Sequence, residues 1–216
     1  MPSILKENRI QNFGPNCILS ASFQSIAGIE DEGWTITGSP VIVSTPFGRG
    51  MQFDRTVPDY ITIPSSPELD FVVAGEMSIE VLLKLNLVGQ NQEIVSKRNG
   101  ANGYMFIIRS TNVIRMSFPW GGYVDSTTPL QVGIWYHIEM TWNNGAILFY
   151  VNGAPDGGGA GVGYTDERTA DINIARAIGW GPLSADVEFI NMYSNAESAA
   201  DVLARYNNVA GLGTNP

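Results

Sequence analysis

The stretch Gly133–Gly153, GIWYHIEMTWNNGAILFYVNG, leaves the chain little choice of fold. Ile134, Tyr136, Ile138, Met140 and Trp142 fall on one side, and Trp135, His137, Glu139 and Thr141 on the other. A period of two belongs to a half-buried strand. Asn143-Asn144-Gly145 follows, with residues that tolerate the positive φ of a tight hairpin turn. A second strand returns over Ala146–Val151, with Ile147, Phe149 and Val151 on one side, and stops at Asn152-Gly153. Such a hairpin has one large apolar face, which must be buried against a second sheet.

The rest of the chain repeats this pattern in shorter pieces. Met77–Asn86 is the cleanest alternation: Met77, Ile79, Val81, Leu83 and Leu85 face inward, Ser78, Glu80, Lys84 and Asn86 outward, and Leu82 breaks the rule. Further strands are expected at Cys17–Phe23, Trp34–Val43, Met51–Asp54, Tyr60–Ile63, Glu93–Lys97, Tyr104–Arg109, Val113–Phe118, Asp171–Ala175 and Asp186–Tyr193. Ala199, Val202, Leu203 and Tyr206 recur at helical spacing, which predicts a short amphipathic helix over Ala196–Tyr206. Many short strands between frequent turns predict an all-β fold of two antiparallel sheets. Ile138, Met140, Trp142, Ile79, Val81 and Phe106 are its expected core. The expected organisation is an N-terminal arm or first strand over 1–23, one sandwich over 24–210, and a loose tail over 211–216. The glycine-rich run Asp156–Gly163 precedes no helix, so it reads as a hairpin connection and not as a phosphate cradle.

Charge and cysteine content narrow the partners. The 12 lysines and arginines against 21 acids give a net charge of −9, which disfavours nucleic acid and anionic membrane. Cys17 is the only cysteine, so no intrachain disulfide forms. The first residues carry no apolar run of signal-peptide length, and no run is long enough for bilayer insertion. The chain is expected to be made and folded in the cytoplasm.

Several segments, in order, resemble laminin-G-like domains of the concanavalin A-like lectin/glucanase superfamily. They are Gly50-Met51-Gln52-Phe53-Asp54 with Asp59–Pro64, the strand Met77–Val81, the hairpin W-Y-H-I…T-W-N-N-G…L-F-Y-V-N-G, the closing strand Ala185–Tyr193, and the helix Ser198–Tyr206. The resemblance runs from about Gly50 to Tyr206 and implies a jelly-roll β-sandwich with a short C-terminal helix. That family includes glycan-binding lectins, adhesion modules, pentraxin-like calcium binders, glucanases and phage structural proteins. Fold alone does not choose among them.

The candidate chemistry is sparse. Glucanase relatives carry an E-x-D-x-x-E strand, which is absent here. The nearest pair is Asp186 and Glu188, which would share a strand face about 6.5–7 Å apart. His137 is the only histidine, and no G-x-S-x-G is present, so no catalytic residue is assigned. The resemblance places calcium ligands in the loops matching Arg98–Gly103 and Ala177–Leu183. These offer Asn99 and Asn102 but no carboxylate, so at most a weak calcium site is expected and no metal ligand is assigned. The acidic loops Glu30–Glu32 and Asp166-Glu167 read as solvated. Aromatic residues in turns remain: Trp180 between glycines, Trp120 before glycines, and Tyr123. Such rings stack on sugars while amides bond hydroxyls. The expected ligand site is one end of the sandwich carrying Asn99, Asn102 and Trp180, with Trp120 and Tyr123 as further candidates.

The reading is therefore a non-catalytic recognition or structural protein. Its expected setting is the surface of a virion or similar assembly, among other protein subunits. The alternative is a lectin-like module for cell-surface glycans, and a glucanase-like hydrolase is the distant third.

Overall fold

The computed structural model of the protein describes residues 16–57, 59–69, 75–100, 102–118, 122–160, 169–176 and 180–212. In chain order, β1 (Cys17–Ser22) and a short helix α1 (Ile26–Asp31) lead to β2 (Thr35–Thr37), β3 (Val41–Thr45), β4 (Gly48–Phe53) and β5 (Tyr60–Ile63). After a single 3-10 turn at Pro67–Leu69 come β6 (Glu76–Leu85), β7 (Gln92–Asn99), β8 (Asn102–Ile108), β9 (Ile114–Phe118) and β10 (Gly122–Asp125). The hairpin of β11 (Trp135–Asn143) and β12 (Ala146–Val151) runs into β13 (Ala154–Gly159), β14 (Ile172–Ile174), β15 (Ala185–Tyr193) and the helix α2 (Ala199–Leu212).

Eight strands form one antiparallel sheet, in the order β13-β12-β11-β6-β15-β4-β3, with β1 also paired to β15. Seven form the other, β10-β9-β8-β7-β14-β5-β2. The architecture is the two-sheet antiparallel jelly-roll sandwich that the alternation and the resemblance predict. Both Asn-Gly turns behave as their chemistry requires: Asn144 and Gly145 sit at φ 47° and 93°, and Asn152 and Gly153 at 52° and 75°. Registers Ile138↔Val81 and Met140↔Ile79 align the two most regular strands. Ile79, Val81, Phe106, Ile138, Met140 and Trp142 all fall in the core cluster between the sheets. Trp142 reaches across to Phe118 of the other sheet, ring centroids 5.9 Å apart. Ile134 departs from expectation: it is 44% exposed, because the strand begins one residue later, at Trp135.

The N-terminal segment contributes a strand to the core. Leu19, Ala21 and Phe23 are buried, and Phe23 meets Phe53 edge-on at 5.9 Å. Of the expected arm or first strand over 1–23, residues 1–15 lie outside the described residues. One edge of β15 is shared: Ala185–Val187 pair with β4 and Phe189–Tyr193 with β1, and the register shifts between Val187 and Phe189. Gly50 permits this handover, since a Cβ there would stand 2.6 Å from the Val187 carbonyl oxygen.

The C-terminal helix is displaced from its expected range of Ala196–Tyr206. A capping box sets its start. Ser198 Oγ lies 3.3 Å from the Asp201 amide, and Asp201 Oδ2 accepts from Ser198 N. Val209, on the far side of Tyr206, packs with Leu82 and Phe189, which carries the helix to Leu212. The outward Leu82 that broke the alternation in β6 is thereby explained. The glycine-rich run begins as strand β13, where Asp156 is buried and accepts from the Thr128 amide and hydroxyl. Among the described residues, no helix is long and apolar enough to cross a membrane.

Gly153 ties the hairpin to α2. A Cβ there would stand 2.8 Å from Tyr206 Cδ1 at a φ of 75°. Gly153→Ala is therefore expected to lower the unfolding free energy by about 1–3 kcal/mol, measured by urea denaturation. An unchanged midpoint would show that the turn and helix are not packed as described.

Candidate functional site

The middle of the outer face of the eight-stranded sheet is covered. Glu80 from β6, His137 and Glu139 from β11, and Asn191 and Tyr193 from β15 all point away from the core, yet all are buried. They are covered by α2, whose Arg205 enters among them. Its Nη2 donates to Glu139 Oε1 at 2.6 Å, its Nε lies 3.9 Å from Glu80 Oε1, and its Nη1 lies 3.4 Å from Glu197. The guanidinium also stands over the Tyr193 ring at 4.4 Å. Glu80 receives His137 Nε2 at 2.7 Å, Asn191 Nδ2 at 2.8 Å and the Tyr193 hydroxyl at 2.6 Å.

Burial pushes the two carboxyls up, and their neighbours then divide them. At Glu80, bonds from His137, Asn191 and Tyr193 outweigh desolvation, so its carboxyl is held below the usual range. At Glu139, burial and the Glu80 charge prevail over Arg205, and the carboxyl is pushed up to about 8. Burial, with Glu80 nearby, pushes the Cys17 thiol up to about 12, which makes it inert as a nucleophile. Ligand atoms of Glu80, His137 and Glu139 lie within 4.8 Å of one another, as a metal would require. Arg205 fills the cation's place, so the arrangement is a buried ion network locking α2 to the sheet.

The seven-stranded sheet presents a different face. Tyr123, Ser117, Met105, Ser96, Asn173, Thr62 and Thr35 form one row across it, pointing away from the core. Ile107, Glu93 and Ser96 at the middle are buried, and Tyr123 at the edge is 60% exposed. Three aromatic rings carry guanidinium groups along this side. Arg115 lies 3.5 Å over Tyr123 and is held by Asp125 through Nη2 at 2.7 Å. Arg176 lies 4.9 Å over Tyr60 and donates to Asn173 Oδ1 at 2.9 Å. Arg109 lies 5.2 Å over Trp180. Such stacks fix the ring orientation and leave planar apolar surface beside fixed hydrogen-bond donors.

The structure separates residues that the sequence reading grouped. Asn99 and Asn102 pair across the β7–β8 turn. Trp180 sits at the opposite end of β7, where Glu93 N donates to Gly181 O at 3.0 Å. The cause is β14, which runs antiparallel to β7 and delivers the following chain to the start of that strand. Tyr123 lies on the sheet's outer face and not in a turn, and Trp120 lies outside the described residues. In the Arg98–Gly103 loop, Arg98 Nη2 donates to the Gly100 carbonyl at 2.9 Å, putting a cation where a calcium ligand was considered. Residues 177–179 of the second loop and Asp166-Glu167 lie outside the described residues. The pair Asp186 and Glu188 is engaged. Asp186 accepts from Lys84 at 2.7 Å, Asn86 at 2.8 Å and Gln52 at 2.9 Å, which together outweigh burial and hold its carboxyl below the usual range. Glu188, at the register shift, accepts from the Thr45 hydroxyl. Arg109, Arg115, Arg176 and Tyr60 were missed. Their only signal was the arginine or tyrosine at outward positions of strands otherwise read for their apolar side.

A family model described as the concanavalin A-like lectin/glucanases superfamily, a laminin G type, matches residues 55–203. No curated protein matches the chain in sequence. Solved structures match the fold. The binding domain of Paraclostridial Mosquitocidal Protein 1 aligns with TM-score 0.71 at 15% identity, over 89% of this chain and 52% of that one. Domain 4 of AbnA, an extracellular arabinanase from Geobacillus stearothermophilus solved in complex with arabinotriose, aligns with TM-score 0.69 at 14% identity, over 88% of this chain and 98% of that one. The botulinum neurotoxin serotype G binding domain aligns with TM-score 0.68 at 15% identity, over 89% and 51%. The chain thus spans about half the length of the toxin binding domains it matches.

The buried network carries a pH signature. The folded-state pKa of Glu139 is raised to about 8, so its contribution to stability is complete below the ordinary carboxylate range and declines as pH rises toward that value. Glu80 is depressed, so its contribution is lost as pH falls through its folded-state value. Stability should therefore peak in mildly acidic solution and fall toward pH ~8–9. Glu139→Gln should flatten the alkaline limb in urea titrations. An alkaline limb unchanged in that variant would remove Glu139 as its cause.

Proposed function

The chain belongs to the concanavalin A-like lectin/glucanases superfamily, and from that membership we propose that it is a non-catalytic carbohydrate-binding module. Its ligand lies against the outer side of the seven-stranded sheet. The observation that carries this reading is the set of aromatic rings held by arginines around the margin of that sheet. Its middle is buried at Ile107, Ser96 and Asn173, while Tyr60, Tyr123 and Trp180 at the margin each face an arginine and stay reachable from solvent. On the other sheet, α2 covers the middle of the outer face through Arg205. Planar rings with adjacent amide, hydroxyl and guanidinium donors suit the faces and hydroxyls of a sugar.

Fold similarity supports the same reading. The arabinanase domain, matched over 98% of its length, was solved with an oligosaccharide, and the toxin domains are binding domains. The non-catalytic part rests on the carboxylates. Glu80 and Glu139 lie under α2, while Asp186 and Glu188 are bonded within the sheet. Glycoside hydrolysis requires two carboxyls flanking a bond and reachable by it. The outside of a virion-like assembly belongs to this proposal as a setting in which such a module works.

Isothermal titration with short neutral and acidic oligosaccharides tests the module. Binding to at least one class is expected, without release of reducing ends. Trp180→Ala should weaken it about 10-fold, whereas Leu148→Ala, on the other sheet and 50% exposed, should leave it unchanged. Equal loss in both variants, or no binding in either class, would overturn the reading.

A further inference from the structure

We propose that the saccharide is anionic, and that Arg109 and Arg55 beside Trp180 receive its carboxylate or sulfate. This rests on the carbohydrate-binding reading and adds the charge of the ligand and the subsite that reads it.

The chain carries 21 acids against 12 basic residues, so an arginine near any surface has carboxylates available. Arg115 and Arg205 take them, at 2.5 Å and 2.6 Å. On the seven-stranded side, Arg55, Arg98, Arg109 and Arg176 form no ion pair among the described residues. A guanidinium without a carboxylate partner keeps its charge available to an anion from solvent.

Two of these cations converge at Trp180. Arg109 lies 5.2 Å over the indole. Arg55 packs against the next residue: a Cβ on Gly181 would stand 2.5 Å from Arg55 Nη2. Glycine at 181 is what lets the guanidinium approach the backbone. Both arginines keep a buried N–H group without an acceptor, Nε of Arg109 and Nη1 of Arg55. A buried donor of this kind is costly unless something accepts from it. Trp180, Arg55 and Arg109 are each half-buried, so a ligand reaches them from solvent. An indole with one guanidinium stacked on it and a second against the next residue matches a sugar ring that carries a planar carboxylate or a sulfate: the ring packs on the aromatic surface, and the anion takes the charge-assisted hydrogen bonds. A neutral sugar offers these arginines only its hydroxyls.

The test compares three probes by titration calorimetry: trigalacturonic acid for carboxylate, a heparin tetrasaccharide for sulfate, and arabinotriose as a neutral sugar. One or both acidic probes should bind at least about 10-fold tighter than arabinotriose, with affinity falling as salt rises. Whichever acidic probe binds tighter identifies the anion. Arg109→Gln and Arg55→Gln should each cost about 10-fold for that probe and no more than about 3-fold for arabinotriose. Arg109→Lys should recover part of the loss, which separates charge from folding. Arabinotriose binding as tight as the acidic probes, insensitive to both arginines, would overturn this inference and leave the carbohydrate-binding module standing. No binding of any probe would overturn both.

Discussion

Arg205 decides how this sandwich can be used. It is the one cation of α2 that enters the outer face of the eight-stranded sheet, where it joins Glu139, Glu80 and Glu197. Glu80 keeps its charge beside Arg205, while burial and that charge push the Glu139 carboxyl up to about 8, so the interior holds one carboxylate with a closely placed cation. Removing one member of such a network leaves uncompensated charge and costs about 3–5 kcal/mol. The helix is thus held by the charges as much as by Leu82, Phe189 and Val209 beneath its end. That arrangement covers the middle of the larger sheet's outer face.

The consequence falls on the seven-stranded sheet. Its strands bury one side in the common core, and its outward side carries aromatic rings stacked on arginines. Stacking holds a long side chain in one place, so a ligand meets donors that are already ordered and loses less entropy on binding. One outer face thus keeps the C-terminal helix in place, and the margin of the other carries the ordered rings and arginines on which the proposed recognition rests.

The fold was legible because its signals are local. Alternation in β6 and β11 and the two Asn-Gly turns fix the central strands, and one exception, Leu82, marked the place where a helix would land. The buried network was half legible. Glu80, His137 and Glu139 stood at outward positions, but their burial depends on Arg205, which is 66 residues from Glu139 in sequence. The recognition side was the least legible. Aromatic turn residues drew the reading toward loop ends, and Asn99, Asn102 and Trp180 were placed together. In space β7 separates them, since the strand runs from one end to the other and β14 returns Trp180 to its beginning. Pairings such as Arg176 with Tyr60 join strands more than a hundred residues apart, and no local period announces them.

Recognition at the ring-bearing margin of the seven-stranded sheet is the central claim, and amide and indole chemical-shift mapping during oligosaccharide titration tests it most directly. The Trp180 indole N–H and the backbone amides around Tyr60, Arg109 and Arg176 should shift together and saturate with one affinity, while α2 and the outer positions of β11 stay still. Shifts concentrated on α2, or confined to the Asn99–Asn102 turn, would contradict the account.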